Sequence, residues 1–230
     1  MGEREADRWR DAAIEALGVL LPVSCVVCGR DDRPVCHACL EDLAATPSCV
    51  RLVAGVRLDA PFTYRGTARA LVLAFKVHGR LDVVGPLARP TVRALRGALA
   101  EAPDAVVVRV PSSRAGRRRR GFDPVVVLLR RGGFRTARVL RRVPDPRARG
   151  RRDGGQKSLS GVDRVTATVG TLRAVDVRDR AVVLVDDVVT TGVTMAEAIR
   201  AVRAAGGRVV RCVATASVEP SSPSEAGTGP

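Results

Sequence analysis

The chain has 230 residues, 46% of them hydrophobic and 3% aromatic, which is enough apolar material for one α/β domain and a small appendage. Lys and Arg number 39 against 24 Asp and Glu, and the resulting net charge of +15 suits phosphate-rich ligands or nucleic acid. Apolar runs stay shorter than the roughly 18 residues of a membrane-spanning helix, which excludes a helical membrane protein.

Residues 3–20 are expected to form a helix with one apolar stripe that packs against the body of the protein, and a partner-binding helix is the alternative. The charges before this stripe do not give the positive start of a secretory leader, and Pro22 stands where a lipoprotein cleavage site would have Leu. We therefore expect a cytoplasmic protein, whose cysteines are reduced or metal-bound. The stripe is formed by Trp9, Ala13, Ala16, Leu17 and Leu20.

Two CxxC knuckles follow in the stretch C-V-V-C-G-R-D-D-R-P-V-C-H-A-C. Each knuckle can point two thiolates at one ion, and the gap with Gly29 and Pro34 lets the second knuckle fold back. Four sulfurs leave no open position, which is typical of structural zinc, while redox cysteines and an iron–sulfur cluster are the alternatives. We expect His37 to face solvent, Cys49 to be a spare thiol and Cys212 to lie in a strand core. The expected zinc ligands are Cys25, Cys28, Cys36 and Cys39.

The middle of the chain is expected to contain two strands and at least two helices. The pattern predicts a short strand from Asp59, a turn at Gly66 and a helix that ends near Gly79. A second helix is predicted over residues 83–99, and a strand over 105–110 leads into a basic loop, P-S-S-R-A-G-R-R-R-R-G-F. The apolar run at residues 124–131 fits either a helix or a strand.

Nearly all of the net charge lies in residues 114–152, where 15 arginines and two aspartates give +13. This segment suits a phosphate-rich ligand or a single-stranded nucleic acid bound through Arg117–Arg152, and a solvated loop with diffuse charge is the alternative. Residues 144–155 are rich in Pro, Gly and Arg and are expected to form a mobile loop.

The last part of the chain is predicted to fold as strand, helix and strand over residues 181–185, 194–205 and 208–215. Gly206 and Gly207 are expected to end the helix. The segment from Glu219 onward is rich in Pro, Ser and Gly and is expected to be disordered.

The stretch V-V-L-V-D-D-V-V-T-T-G-V-T places two acids, threonines and a glycine after a buried strand. Open α/β sheets keep their ligands at the carboxyl ends of parallel strands. A turn rich in Thr and Gly that leads into a helix offers N–H groups and hydroxyls to a phosphate. Two carboxylates just before it suit a vicinal diol, directly or through Mg²⁺, so the stretch predicts a ribose 5-phosphate site.

Three alternatives explain less of this stretch. Thr194 and Glu197 have the spacing of a capping box, which leaves Asp186 and Asp187 without a role. A Walker loop would contain Gly-Lys-Ser/Thr. A phosphoacceptor receiver domain would contain a later lysine, and none follows Lys157.

The same stretch resembles the 5-phosphoribosyl 1-pyrophosphate (PRPP) motif of type I phosphoribosyltransferases. Together with the cysteine knuckles, F-K-V-H-G-R, V-P-S-S-R-A-G-R-R-R-R-G-F and Q-K-S-L-S-G-V-D-R, the chain is similar to the ComF competence family over roughly residues 20–218. The resemblance implies an α/β fold, a parallel sheet flanked by helices with a small N-terminal zinc-knuckle hood. We expect an N-terminal helix and zinc knuckle in residues 1–55, a phosphoribosyltransferase-like domain in 56–218 and a disordered tail in 219–230.

The resemblance also implies roles for individual residues. Asp186 and Asp187 would hold the ribose hydroxyls and Mg²⁺, and Gln156 and Arg164 would belong to a flexible loop that closes over the ligand. The implied ligands of the 5-phosphate and the pyrophosphate are Val188, Val189, Thr190, Thr191, Gly192, Val193, Thr194, Ser112, Ser113 and Arg114.

Three positions depart from the family pattern. Asp123 and Pro124 stand where the family usually has Asn and Gln, and Ala167 stands where it often has Asn. PRPP binding is compatible with these changes, whereas the acceptor is not identified by any residue. The expected function is Mg²⁺-dependent transfer of ribose 5-phosphate from PRPP to an unknown acceptor. The alternatives are a non-catalytic accessory protein of DNA uptake, which binds PRPP or a nucleotide and single-stranded DNA, and a scaffold with a vestigial site.

Overall fold

The computed structural model of the protein describes residues 23–31, 33–112, 114–143 and 170–219. The helix predicted over 3–20, the loop predicted over 144–155 and the tail from residue 220 lie outside these ranges. Gln156, Arg164 and Ala167 lie outside them as well. Within the described part, no helix is both long enough and apolar enough to cross a membrane.

The described chain alternates between strands and helices. The strands are β1 (Cys49–Val53), β2 (Val56–Ala60), β3 (Phe62–Thr63), β4 (Val106–Arg109), β5 (Leu140–Arg142), β6 (Leu172–Ala174), β7 (Ala181–Val189) and β8 (Arg208–Ser217). The helices are α1 (His37–Ala45), α2 (Gly66–Lys76), α3 (Val84–Glu101), α4 (Arg114–Arg120), α5 (Pro124–Arg130) and α6 (Val193–Ala204), with a 3₁₀ turn over Leu81–Val83 before α3.

Six of the strands form one mixed and mostly parallel sheet. Its order is β1-β2-β8-β7-β4, and the short β3 pairs with β8 beyond β2. Strands β2, β3 and β7 run parallel to β8, β4 runs parallel to β7, and only β1 is antiparallel to its neighbour. Strands β5 and β6 form a separate antiparallel ribbon. The predicted fold class, a largely parallel sheet flanked by helices, is confirmed.

Helices cover both faces of β7, as its unbroken apolar run predicts. Val182 and Leu184 belong to the core that contains Met195, Ala198 and Ile199 of α6. The alternate side chains of the strand face the other way and pack with α3 and α5. They are Val183 and Val185, in one cluster with Val92, Leu95, Val125 and Leu129.

Two predicted boundaries were wrong, and one ambiguity is resolved. The segment expected to be a basic loop forms helix α4, because arginine and alanine have high helix propensity. The strand predicted over 181–185 continues to Val189, since β8 pairs with it that far. Residues 124–130 form helix α5, in which Pro124 takes the first turn and the Asp123 carboxylate accepts from the Val126 N–H.

The N-terminal part of the described chain is joined to the sheet in two ways. Cys25, Cys39 and Leu43 share a buried cluster with Leu71 and Phe75 of α2. The hairpin β1–β2 turns at residues 54–55, so the domain boundary expected after residue 55 falls in its turn. The hairpin therefore carries the chain from the cysteine-rich segment directly into the sheet.

Candidate functional site

The acidic pair, Asp186 and Asp187, lies on β7 just past the point where its neighbour β4 ends. Arg109 is the register partner of Val185, and the Val110 N–H still donates to the Val185 carbonyl. On its other side β7 goes on pairing with β8 up to Val189. The acids were expected to emerge after the strand; they instead are its sixth and seventh residues, where only one flank of the strand is paired.

Asp187 is buried and held by two donors. Its Oδ1 accepts from Lys76 Nζ at 2.8 Å and from the Val188 backbone N–H at 2.8 Å. The half-buried Asp186 accepts from the Asp187 backbone N–H at 2.8 Å. Burial raises the pKa of Asp186 well above its ordinary value, the negative charge of Asp187 raises it further, and Lys76 offsets only part of the rise. The pair therefore has less positive charge around it than two ionised carboxylates need.

Lys76 is a site residue that the sequence analysis did not single out. It is the last residue of α2 and reaches a carboxylate 111 positions later in the chain. A signal was present, because Lys76 and Lys157 are the only lysines in a chain that otherwise uses arginine. An amine at this one position provides a compact cation with three donors where a guanidinium would be larger and planar.

The threonine loop, residues 190–194, connects β7 to α6. Thr190 and Thr191 are exposed, and Gly192 is the N-cap residue with φ +84°. As a glycine, Gly192 has no side chain with which to cap the helix. Thr194 lies half-buried in the first turn, flanked by the half-buried Val193. The N-terminus of α6 thus offers backbone N–H groups and hydroxyls at the end of β7, beside the acidic pair.

The capping box considered for Thr194 and Glu197 does not form. Glu197 is buried, accepts from the Leu172 backbone N–H at 3.0 Å and pairs with Arg200 at 2.6 Å. These contacts hold its pKa below the ordinary value, against the effect of burial. Glu197 therefore ties α6 to the β5–β6 ribbon and leaves the helix N-terminus open.

A second loop follows β4 and runs beside the acidic pair. Arg142 of β5 donates from Nε to the carbonyls of Pro111 at 3.1 Å and Ser112 at 3.3 Å. Burial lowers the pKa of Arg142, and the charge of Asp186 partly offsets the effect, which places the guanidinium within electrostatic reach of the acids. Ser113 and the side chain of Arg114 lie outside the described residues.

Beyond this loop the surface opens into a cavity of about 790 Å³ between α5 and the end of β4, which we call the arginine cavity. A second cavity of about 440 Å³ continues it towards Ser112 and shares Arg109 and Arg138 with it. The acid at this surface, Asp123, is paired with Arg109. The arginine cavity is lined by Arg109, Arg130, Arg135 and Arg138, with Val126, Gly133, Phe134 and Thr136.

The four knuckle cysteines form a compact cluster. Their sulfurs all lie within 4.8 Å of one another, and those of Cys28 and Cys36 are 3.6 Å apart. Burial raises the pKa of Cys25, but hydrogen bonds from the backbone of Cys36, Cys28 and Val27 outweigh it and lower the pKa to about 6. Burial also raises the pKa of Cys39. Four converging sulfurs, one of them already favoured as a thiolate, fit a tetrahedral Zn²⁺ ion.

The other predictions about this region hold in the structure. His37 is exposed and hydrogen-bonded to Arg33, so it does not join the cluster. Cys49 is a buried free thiol on β1, and Cys212 is fully buried in β8.

One known protein family matches the second half of the chain. The model of the phosphoribosyl transferase domain family matches residues 117–225, just under half of the chain. The matched part contains the acidic pair, the threonine loop, α6 and β8. It supports the type I phosphoribosyltransferase superfamily and a phosphoribosyltransferase-like function. The search of curated proteins gives no match to the chain.

Proposed function

We propose that the protein binds PRPP with Mg²⁺ at the end of β7 and transfers its ribose 5-phosphate to an acceptor. The observation that carries this proposal is the acidic pair beside the uncapped N-terminus of α6, within the part of the chain that matches phosphoribosyl transferase domains. Carboxylates suit the ribose hydroxyls, and the loop N–H groups and threonine hydroxyls suit the 5-phosphate.

Magnesium fits the donor set of the acidic pair. Asp186 and Asp187 are hard oxygen ligands whose charge is only partly neutralised by Lys76, which is the condition under which a divalent cation gains most. When bound, the ion supplies positive charge for the pyrophosphate that leaves. The protein's own residues would position the ribose through Asp186 and Asp187 and the 5-phosphate through residues 190–194.

The reaction needs electrostatic stabilisation more than a nucleophilic side chain. The bond between C1 of the ribose and a pyrophosphate oxygen breaks, the oxygen keeps the electron pair, and the acceptor's nucleophilic atom bonds to C1. Negative charge then grows on the pyrophosphate, and we propose that Arg142, which holds the loop at Ser112, stabilises it together with the residues that follow, Ser113 and Arg114. The acceptor itself is not specified by these residues.

The cysteine cluster supports two finer parts of the proposal. We infer that it holds one structural zinc ion. The knuckles ahead of a phosphoribosyltransferase-like domain support the proposal that the chain is a member of the ComF competence family. None of the six cysteines, all within the described residues, forms a disulfide, which supports a cytoplasmic location, where cysteines stay reduced or metal-bound.

A second candidate function is suggested by the arginine cavity. Four arginines line it, and the acid at its rim is already paired. The charge of +13 on residues 114–152, to which three of these arginines belong, exceeds what one pyrophosphate needs. The observation favours an accessory protein of DNA uptake, which would bind a single-stranded nucleic acid backbone next to the PRPP site.

The test of the proposed function is calorimetric titration of the protein with PRPP, with and without Mg²⁺. We expect Mg²⁺-dependent binding that Asp187→Asn weakens by about ten- to a hundredfold, because a charged partner is lost. Thr191→Val should weaken it less, since the loop N–H groups remain. Asp59→Asn is the matched control, because Asp59 also pairs with arginines but lies on β2, two strands away from the acidic pair.

Turnover is measured in the same samples as pyrophosphate released with a panel of nucleobase acceptors. Wild-type protein that binds no PRPP in the presence of Mg²⁺ contradicts the proposed function. Tight binding without pyrophosphate release from any acceptor supports the accessory function instead.

A further inference from the structure

An arginine on the edge strand β1, Arg51, lies next to the threonine loop. Arg51 is the central residue of β1, between Cys49 and Val53, which are buried in the same core as Met195 of α6. Side chains two apart on a strand share a face, so Arg51 points towards α6. A Cβ built on Gly192 would lie 2.9 Å from Nη2 of Arg51. The guanidinium therefore lies against the backbone of the loop.

Arg51 has little compensation for its charge. Its Nη1 donates to the Val218 carbonyl at 3.1 Å, whereas its Nε is buried without a hydrogen-bond partner. Among the described residues it forms no ion pair. A half-buried cation that lacks both a counter-charge and one of its hydrogen bonds is unfavourable by itself.

The helix that Arg51 faces adds to this imbalance. The N-terminus of α6 carries the positive end of the helix dipole, and no side chain caps it. The one acid in its first two turns, Glu197, is turned away to Leu172 and Arg200. A guanidinium thus lies next to the N-cap residue of a helix, and an anion bound there would interact favourably with both.

We propose that Arg51 is a ligand of the 5-phosphate and closes its cradle from the side of the β1–β2 hairpin. This inference deepens the proposed function and rests on it for the identity of the anion. The phosphate would receive N–H groups from the threonine loop on one side and the guanidinium on the other. The planar fork of arginine suits phosphate oxygens, and Nη2 is the nitrogen that lies against the loop.

The experiment compares wild type with Arg51→Met, which keeps the length of the side chain and removes its charge, and with Arg51→Lys, which keeps the charge. Calorimetry is performed with inorganic phosphate, with ribose 5-phosphate and with Mg²⁺–PRPP. We expect Arg51→Met to weaken all three by about ten- to a hundredfold and Arg51→Lys to weaken them less.

Arg203→Met is the matched control. Arg203 also supports the hairpin, through a 3.2 Å hydrogen bond to the Ala54 carbonyl, and it lies in the last turn of α6, away from the loop. We expect this variant to bind all three ligands like wild type. Circular dichroism and the melting temperature show whether each variant is folded.

Each outcome decides one of the two proposals. Folded Arg51→Met and Arg51→Lys variants that bind phosphate, ribose 5-phosphate and PRPP like wild type overturn the role of Arg51 and leave the proposed function standing. Wild type that binds phosphate but not PRPP, with phosphate binding lost in Arg51→Met, supports the Arg51 cradle and overturns the proposed function. Wild type that binds none of the three overturns both.

Discussion

At the scale of single residues, the site is defined by an imbalance of charge. Asp186 and Asp187 lie next to each other on a strand, yet Lys76 forms an ion pair with Asp187 alone. The raised pKa of Asp186 shows the cost of keeping the second carboxylate ionised in this environment. The free protein therefore carries an unfavourable charge that a bound cation would relieve, as binding sites often do.

We predict that Asp186→Asn stabilises the metal-free protein at neutral pH. The amide keeps the acceptor for the Asp187 N–H and removes the buried charge. A gain of about 1 kcal/mol corresponds to an increase in melting temperature of about 2–4 °C for a chain of this size. Scanning calorimetry in the presence of a chelator measures the change.

The pH dependence has a definite sign. Because the pKa of Asp186 is raised in the folded state, its contribution to stability is present below the ordinary carboxyl value of 3.8 and is lost as pH rises through the folded pKa. The advantage of Asp186→Asn should therefore be largest at neutral pH and shrink as pH falls. An advantage that is constant with pH would contradict the charge explanation.

Sequence patterns singled out candidate residues that are neighbours along the chain, and they gave no sign of contacts between residues that meet only in space. The acids, the threonines and the four cysteines each form a local motif that can be found from its spacing alone. Lys76, Arg142 and Arg51 act on segments far from them in sequence, and only the packing of α2, β5 and β1 brings them together. For Arg51 in particular, no local pattern distinguishes it from the many other arginines.

At the scale of helices and strands, the prediction errors arose where charged residues stand in segments that form a helix or continue a strand. The run Arg114–Arg120 was interpreted as a loop because of its charge, but its residues favour a helix. The acidic pair was placed after the strand because the apolar run ends at Val185, yet pairing with β8 extends β7 through it. The segment at 124–130 is a helix that begins with an Asp123 cap and with Pro124 in its first turn.

The cysteine cluster gives a prediction at this scale. We expect about one zinc ion per chain, and we expect Cys28→Ser to lose it and make residues 23–45 sensitive to protease. The segment packs on α2 through Cys25, Cys39 and Leu43. Two of these residues are expected zinc ligands, so loss of the metal should also weaken the packing of the segment on α2. Metal analysis and limited proteolysis measure the two effects.

Cys49→Ala is the control for the zinc prediction, since Cys49 is buried on β1 and lies outside the cluster. It should keep the metal and the protease resistance. Protein purified without chelators that contains no zinc, or a Cys28→Ser variant with full zinc content, would contradict the assignment.

At the scale of the whole molecule, charge is concentrated on one side of the site. Residues 114–152 carry a charge of +13, and the described part of this segment surrounds the arginine cavity. Phe134 lies at the cavity and Phe122 packs on Phe75, so stacking offers little to bases. Binding of a nucleic acid here would depend on phosphate contacts and tolerate any sequence.

We predict that log affinity for a single-stranded oligonucleotide falls steeply with log salt. Replacing Arg130, Arg135 and Arg138 with Ala should flatten the slope by about two units, since each single-strand phosphate contact contributes roughly 0.7. Fluorescence anisotropy across a salt series measures it. The arginines of this variant line the cavity but touch neither the acidic pair nor the threonine loop, so its PRPP affinity should change far less.

A triple variant of Arg65, Arg69 and Arg89, which are exposed and do not line the cavity, is the control. It should keep the slope of wild type. Equal flattening in both triple variants would indicate diffuse attraction by the surface and contradict a defined nucleic-acid site.

The position of β8 in the sheet has a consequence for the order of events during synthesis. This strand pairs with β2, β3 and β7, and Leu58 of β2 is matched with Cys212. The sheet can therefore close only after the ribosome has produced nearly all of the described chain. Until then Leu58 has only β1 beside it and Phe62 has no paired strand, although both are buried in the finished protein. Before β8 is made, the β1–β2 hairpin and the helices expose apolar surface. Chaperones bind such surface, so we expect the nascent chain to interact with them.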